Sequence, residues 1–210
     1  SSDLGFPSSG KSVFVENIAC NMARNHGWNI TMYCPEKYPV ESQQLSLLEK
    51  IGGKPVIARN GFKAMTFDEC IDAEYIVSSK FQIISADDDP YTLETILEGI
   101  ENRVKNGEKI DMVILDPWNE LDNGRPSGMS ETDYIGYSLM KIRRLARRLN
   151  ISFWIVCHPV KPAQKDKDGS YPPPDLYDLA GSAHFRNKAD NGFIVHRYSL
   201  ETTRVSVFIK

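Results

Sequence analysis

The sequence has no apolar run approaching the roughly 20 residues that a bilayer-spanning helix needs. Its start, Ser1-Ser2-Asp3, has neither the basic opening nor the apolar centre of a secretory leader. No membrane role is expected. None of its four cysteines, Cys20, Cys34, Cys70 and Cys157, forms a C-x-x-C pair. That argues against a zinc site and for buried free thiols in a reducing, cytosol-like compartment. There is no excess of positive charge either: 25 Lys and Arg against 28 Asp and Glu give a net charge of −3. Contact with nucleic acid would have to come from a local basic loop, not from a globally basic surface. Repeats and low-complexity linkers are also missing. What remains, 210 residues with 41% hydrophobic and 25% charged side chains, suits one globular domain over 1–210, large enough to bury a core without staples.

Short β-branched or aromatic runs alternate with longer segments of helical spacing. The runs predict strands at Asn29–Cys34, Phe81–Ser85, Met112–Asp116, Ser152–His158, Gly192–Arg197 and Arg204–Lys210. The spacing predicts helices at Lys11–Asn25, Val40–Ile51, Thr66–Ser79, Tyr91–Asn106 and Glu131–Leu149. Met112-Val113-Ile114-Leu115 is apolar at consecutive positions, as in a strand covered on both faces. The expected fold class is therefore α/β, with a mainly parallel sheet flanked by helices. Its last two strands, joined by few residues, should form an antiparallel hairpin. Pro- and Gly-rich stretches at 123–128 and 161–174 read as long surface loops.

Gly5-Phe6-Pro7-Ser8-Ser9-Gly10-Lys11-Ser12 fits the phosphate-loop pattern G-x-x-x-x-G-K-[ST] and opens a helix. Such a loop turns backbone N–H groups inward around phosphate oxygens, and the helix adds its positive dipole end. Gly5, Pro7, Ser8, Ser9 and Gly10 would line the nucleotide. Lys11, expected to be exposed, would reach the β- and γ-phosphates, and the Ser12 hydroxyl would bind Mg²⁺. The strand ending in Asp116 places a second Mg²⁺-holding oxygen at the sheet's C-terminal edge, where α/β ligands sit. ATP and Mg²⁺ are the expected ligands. A phosphate loop normally follows a buried strand, and Ser1-Ser2-Asp3-Leu4 is too short and polar to be one. Either the chain was cut just upstream, the favoured reading, or another segment fills that place.

GFPSSGKS, YCPEKYP, VILDPWNEL, VCHPVKP and LAGSAHFRNKADNGFIVHR, in this order, together resemble the RecA-like motor domain of DnaB-type hexameric helicases. Within that group they look most like phage primase-helicases and Twinkle-like proteins. The phosphate loop is generic, and the late Gly-Ser-Ala…Ala-Asp-Asn segment is far more specific. By this resemblance Glu36 matches the catalytic glutamate that activates the attacking water, and His158 the polar sensor of the γ-phosphate. Without it, Glu36 reads as an exposed Glu beside a proline and His158 as an interior histidine.

The resemblance further implies that Lys161, Lys165 and Lys167, with the turn at Gly181 and Ser182, grip the backbone of single-stranded DNA. Asp166 and Asp168 interrupt these lysines. Lys210 matches the lysine of a Lys-x-Arg pair that reaches a neighbouring subunit's nucleotide, and the arginine lies past the end of the sequence. A hexameric homo-oligomer, a primase domain or primase partner, and the cytoplasm of a bacterial or phage-infected cell are also implied. The isolated chain is expected neither to close a ring nor to hydrolyse ATP efficiently. Lys141, Arg143, Arg144, Arg147 and Arg148 make one helix strongly basic, read as a solvated face or a subunit contact. Arg186, Lys188 and Arg197 stay unassigned. The expected function is a DNA helicase motor driven by ATP. The alternatives are a RecA- or KaiC-like ATPase without unwinding activity, or a nucleotide-dependent DNA-binding module with negligible turnover.

Overall fold

Strand–helix alternation closes into a parallel sheet in a computed structural model, which describes residues 10–84, 91–121, 124–159, 172–174, 178–179, 182–198 and 205–209. The elements run α1 (Lys11–His26), β1 (Ile30–Tyr33), α2 (Val40–Gly52), α3 (Phe67–Lys80), β2 (Phe81–Ile84), α4 (Leu93–Lys105), β3 (Met112–Leu115), a 3-10 turn (Trp118–Glu120), α5 (Glu131–Leu149), β4 (Ser152–Ile155), α6 (Ser182–Lys188), β5 (Phe193–His196) and β6 (Ser206–Ile209). The four-stranded sheet has the order β2-β1-β3-β4, all parallel, and β5 and β6 pair antiparallel as a separate ribbon. The expected fold class is thus the observed one.

Both faces of the sheet are covered, which is why its central strands lack polar alternation. Val113 and Leu115 face one core with Leu93, Ile96 and Ile100 of α4 and Leu139 and Ile142 of α5. Met112 and Ile114 face the other, with Val15 and Ala19 of α1, Leu47 of α2 and Val77 of α3. Thr31, the one polar residue of β1, is buried and its hydroxyl accepts a hydrogen bond from Arg103 (3.0 Å). Helix starts follow local chemistry. Thr66 and Glu69 form a reciprocal capping box on α3, and the Thr92 and Ser130 hydroxyls accept from backbone N–H groups of α4 and α5. No helix among the described residues is long and apolar enough to cross a membrane.

Two features differ from expectation. Helix α6 begins at Ser182, where a turn was expected. Its Phe185 is buried edge-on against Trp118, with ring centroids 5.8 Å apart, and this tertiary contact holds a segment too short to be stable as a helix alone. The strand ending in Val-Cys-His is shorter than expected and stops at Ile155. On the basic helix α5, Lys141 pairs with Glu94, Arg148 with Glu101 and Arg143 with Asp190, while Arg144, Arg147 and Arg148 are exposed to solvent. Among the described residues β4, opposite β2, is one of the sheet's two edges. A cavity of about 320 Å³ separates it from β5, bridged where Trp154 stacks on Phe193 at 5.3 Å.

Candidate nucleotide site

The parallel register decides which residues meet. Tyr33, Leu115 and Ile155 lie side by side as the last residues of β1, β3 and β4. The segments that follow them therefore leave the sheet at one edge, next to the start of α1. Ligands of open α/β sheets sit at such a carboxyl edge.

Gly10 precedes α1 with φ 92°, a left-handed conformation that suits glycine, and its carbonyl accepts from the Phe14 N–H (2.8 Å). Its N-cap, Gly10, has no side chain with which to cap the helix start, and the first turn holds no acidic residue. Both facts leave it electrostatically fit for an anion. Lys11 is not exposed, contrary to expectation: only 2% of its surface is accessible. As the first residue of α1 it extends along the end of β4, where its ammonium donates to the Cys157 carbonyl (3.1 Å) and meets His158 Nδ1 at 3.0 Å. The ion is buried because those polar partners replace its water.

Asp116 directly follows β3 and is 4% exposed, with its N–H donating to the Tyr33 carbonyl (3.0 Å). The Asp116 carboxylate and the Ser12 hydroxyl are both oxygen donors, the ligand chemistry that a hard divalent cation takes. The negative charge of Asp116 is felt nearby. Burial first, and then Asp116, push the Cys34 thiol pKa upward. Burial likewise pushes Cys157 to about 12, opposed by Lys11.

Glu36 stands in a tight turn. The Lys37 N–H donates to the Cys34 carbonyl (3.0 Å), which puts Pro35 and Glu36 at the two central positions. Proline suits the first of these because its φ is already set. From this turn Glu36 Oε1 lies 3.9 Å from His158 Nε2. Lys11, His158 and Glu36, drawn from three distant stretches of chain, thus form a continuous polar row.

Past His158 the chain leaves and comes back. Pro159 and Leu179 pair in an isolated antiparallel bridge, closing the base of the segment that carries Lys161, Lys165 and Lys167. A cavity of about 390 Å³ beside His158 is lined by Asn119, Arg125, Glu131, Tyr134 and Leu179, among others. The three lysines, Gly5, Pro7, Ser8, Ser9, Gly181 and Lys210 lie outside the described residues.

Two residues here escaped sequence reasoning. Asn119 Oδ1 accepts from the His158 N–H (3.2 Å), tying the exit of β4 to the exit of β3. Its signal was a lone amide between Trp118 and Leu121, which are both buried. Glu16 is 1% exposed on the core side of α1 and takes Lys37 and Lys50 as ion partners. Its signal was a carboxylate set among Val15, Ala19 and Cys20, where the helical period calls for an apolar side chain.

Comparison with known proteins agrees with this geometry. The AAA domain family matches residues 2–164. The chain is 34% identical over 197 residues to the Twinkle homolog protein, chloroplastic/mitochondrial, of Arabidopsis thaliana. That alignment covers 92% of this chain and 27% of the relative, so the chain spans about a quarter of the curated protein it matches. A separately solved ATPase domain superposes with a TM-score of 0.75 at 20% identity, over 97% of this chain and 73% of that one. A DnaB-like replicative helicase, solved in a study of its interactions with primase, gives a TM-score of 0.75 at 20% identity over 98% and 52%. The chain belongs to the AAA domain family and is a P-loop ATPase domain with the RecA-like fold that DnaB-like helicases share.

Proposed function

We propose that this domain hydrolyses Mg-ATP and couples the cycle to movement along single-stranded DNA, as one subunit of a helicase ring. The observation that carries the reading is the polar row Lys11–His158–Glu36 together with the Pro159–Leu179 bridge immediately beyond it. Groups suited to hold and cleave a triphosphate are joined directly to the base of a lysine-bearing loop.

The roles follow from chemistry. Lys11 and the backbone N–H groups from Gly5 to Ser12 balance the charge of the phosphates. Ser12 and Asp116 would hold Mg²⁺, which when bound neutralises charge on the β- and γ-phosphate oxygens. Glu36 accepts the proton of the attacking water, and its place at the apex of a short turn keeps it at the sheet edge. Phosphate oxygens compete with His158 Nδ1 for the Lys11 ammonium. Nucleotide state is thereby reported to His158, and through it to Pro159 and the loop. Lys161, Lys165 and Lys167 suit sequence-independent contact with a phosphate backbone, aided by Gly181 and Ser182. Lys210 would act on a neighbouring subunit's nucleotide. The DnaB-like structural relative was studied with primase, which supports a primase domain or partner here too.

Forked-DNA strand displacement and ATPase assays on the active full-length protein test the reading. Unwinding with ATPase stimulated by single-stranded DNA is expected. Turnover indifferent to DNA, without displacement, would favour a RecA- or KaiC-like ATPase. Binding of both ligands with background phosphate release would favour a loading module.

A further inference from the structure

We propose that Glu16 is a positioning residue for Glu36, acting through Lys37. This rests on the catalytic reading of Glu36 given above.

Glu16 lies on α1, the helix that begins with Lys11, and its carboxylate is almost wholly buried. Burying a carboxylate is unfavourable unless it is well paired, and an apolar side chain usually serves packing at least as well. The neighbours on its face, Val15, Ala19 and Cys20, are apolar in keeping with that rule. Glu16 instead gathers three polar groups. Oε1 takes the Lys37 ammonium, and Oε2 takes the Lys50 ammonium at 2.9 Å and the Ser46 hydroxyl at 3.4 Å. Lys50 and Ser46 belong to α2. Lys37 belongs to no helix: it closes the turn that presents Glu36, and its backbone N–H is the turn's own hydrogen-bond donor.

The Glu36 turn is therefore fastened on two sides. Its backbone is closed onto the end of β1, and its last side chain is gripped by the helix that bears the phosphate lysine. A turn free to swing would carry Glu36 off line, and a displacement on the order of 1 Å from a productive geometry can cost about a hundredfold in rate. Lys37 is the tether, and Glu16 is the anchor that ties the general base to the same rigid body as Lys11 and Ser12. Lys50 supplies an internal control, since it pairs with the same carboxylate but sits away from the turn.

The test uses Lys37→Met, which keeps the stem and leaves Glu16 still paired with Lys50, beside Glu16→Gln, Lys50→Met and Lys37→Arg. All are made in the active full-length protein, with Mg-ATP affinity read by equilibrium binding and kcat by phosphate release. Lys37→Met and Glu16→Gln are expected to lower kcat about tenfold or more, with affinity within about twofold of wild type. Lys37→Arg should restore most of the loss, and Lys50→Met should stay within about twofold of wild type in both readings. In a Glu36→Gln background, Lys37→Met should cost nothing further. Normal kcat in Lys37→Met, an equal loss in Lys50→Met, or a loss fully additive with Glu36→Gln would overturn the proposal. Full turnover in Glu36→Gln alone would overturn the catalytic reading itself, so the two failures are distinguishable.

Discussion

The ammonium of Lys11 lies 3.0 Å from Nδ1 of His158, and 3.9 Å separates Nε2 of the same ring from Glu36 Oε1. A lysine ammonium can only donate, so Nδ1 is the acceptor and the ring proton of the neutral imidazole sits on Nε2, facing Glu36. Imidazole ¹⁵N shifts of the nucleotide-free protein should report the Nε2–H tautomer. In Lys11→Met the Nδ1–H tautomer should gain population. A dominant Nδ1–H form in the wild type would contradict the row.

Replacing Lys11 with Ala should abolish nucleotide turnover while the protein remains folded. The loss exposes a second effect, because the Cys157 carbonyl then has no ammonium donor. Leaving a buried acceptor unsatisfied costs about 1–3 kcal/mol, so the melting temperature should fall by a few degrees. Wild-type ATPase rates in this variant would refute the site.

Glu36→Gln should keep nucleotide affinity and lower turnover about 100-fold or more, the pattern of a lost general base. Equilibrium binding and steady-state phosphate release separate the two quantities. Unchanged turnover would make Glu36 an ordinary residue of the turn.

Neutralising Lys161, Lys165 and Lys167 together should weaken single-stranded DNA binding and flatten its salt dependence. Each lost phosphate contact removes about 0.7 from the slope of log affinity against log salt. ATP affinity should hold, since these residues follow His158 and do not belong to the phosphate loop. A salt titration with an unaltered slope would show the lysines to be merely hydrated.

Three thiols should be nearly inert in the folded protein. Burial pushes Cys20 and Cys157 to about 12 and raises Cys34 as well. At pH 8 the thiolate fraction of a group at about 12 is about one in ten thousand, so iodoacetamide should label the less buried Cys70 first. The sign for stability follows. Below the ordinary thiol value of about 8.5 both folded and unfolded chains keep these protons, and the thiols add no pH dependence. Above it the unfolded chain releases them first, so stability falls as pH rises. Labelling of Cys20 as fast as Cys70 in the native protein would contradict this.

Much of the fold was legible because its signals are local. Periodicity placed α5 at Glu131–Leu149 to the residue, and the doubly covered β3 announced itself as an unbroken apolar run. Helix α6 was not legible, because the contact that holds it, Phe185 on Trp118, joins segments far apart in sequence. The phosphate loop was readable as a pattern, and Glu36 and His158 only through family resemblance. That they approach one another depends on strand register, which no local spacing encodes. Lys11 was misjudged for a similar reason: its burial comes from the end of β4, nearly 150 residues away in the chain. Glu16 and Asn119 were visible only as polar residues in apolar settings.

The register has a further consequence, in time. Ile30 pairs with Met112, and Met112 with Ser152, so each strand must find a partner far along the chain. Parallel pairings of this kind close long loops before they gain contacts, which makes them slow and late events in folding. The polar row from Lys11 to Glu36 spans β1 and β4, with β3 between them. It therefore has no partial form: a chain with β1 and β2 docked but β4 still astray holds neither the lysine's carbonyl nor the histidine. During synthesis the hydrolytic centre would come into being in one late step, after the stretch through His158 has emerged. An immature chain would remain catalytically silent until then.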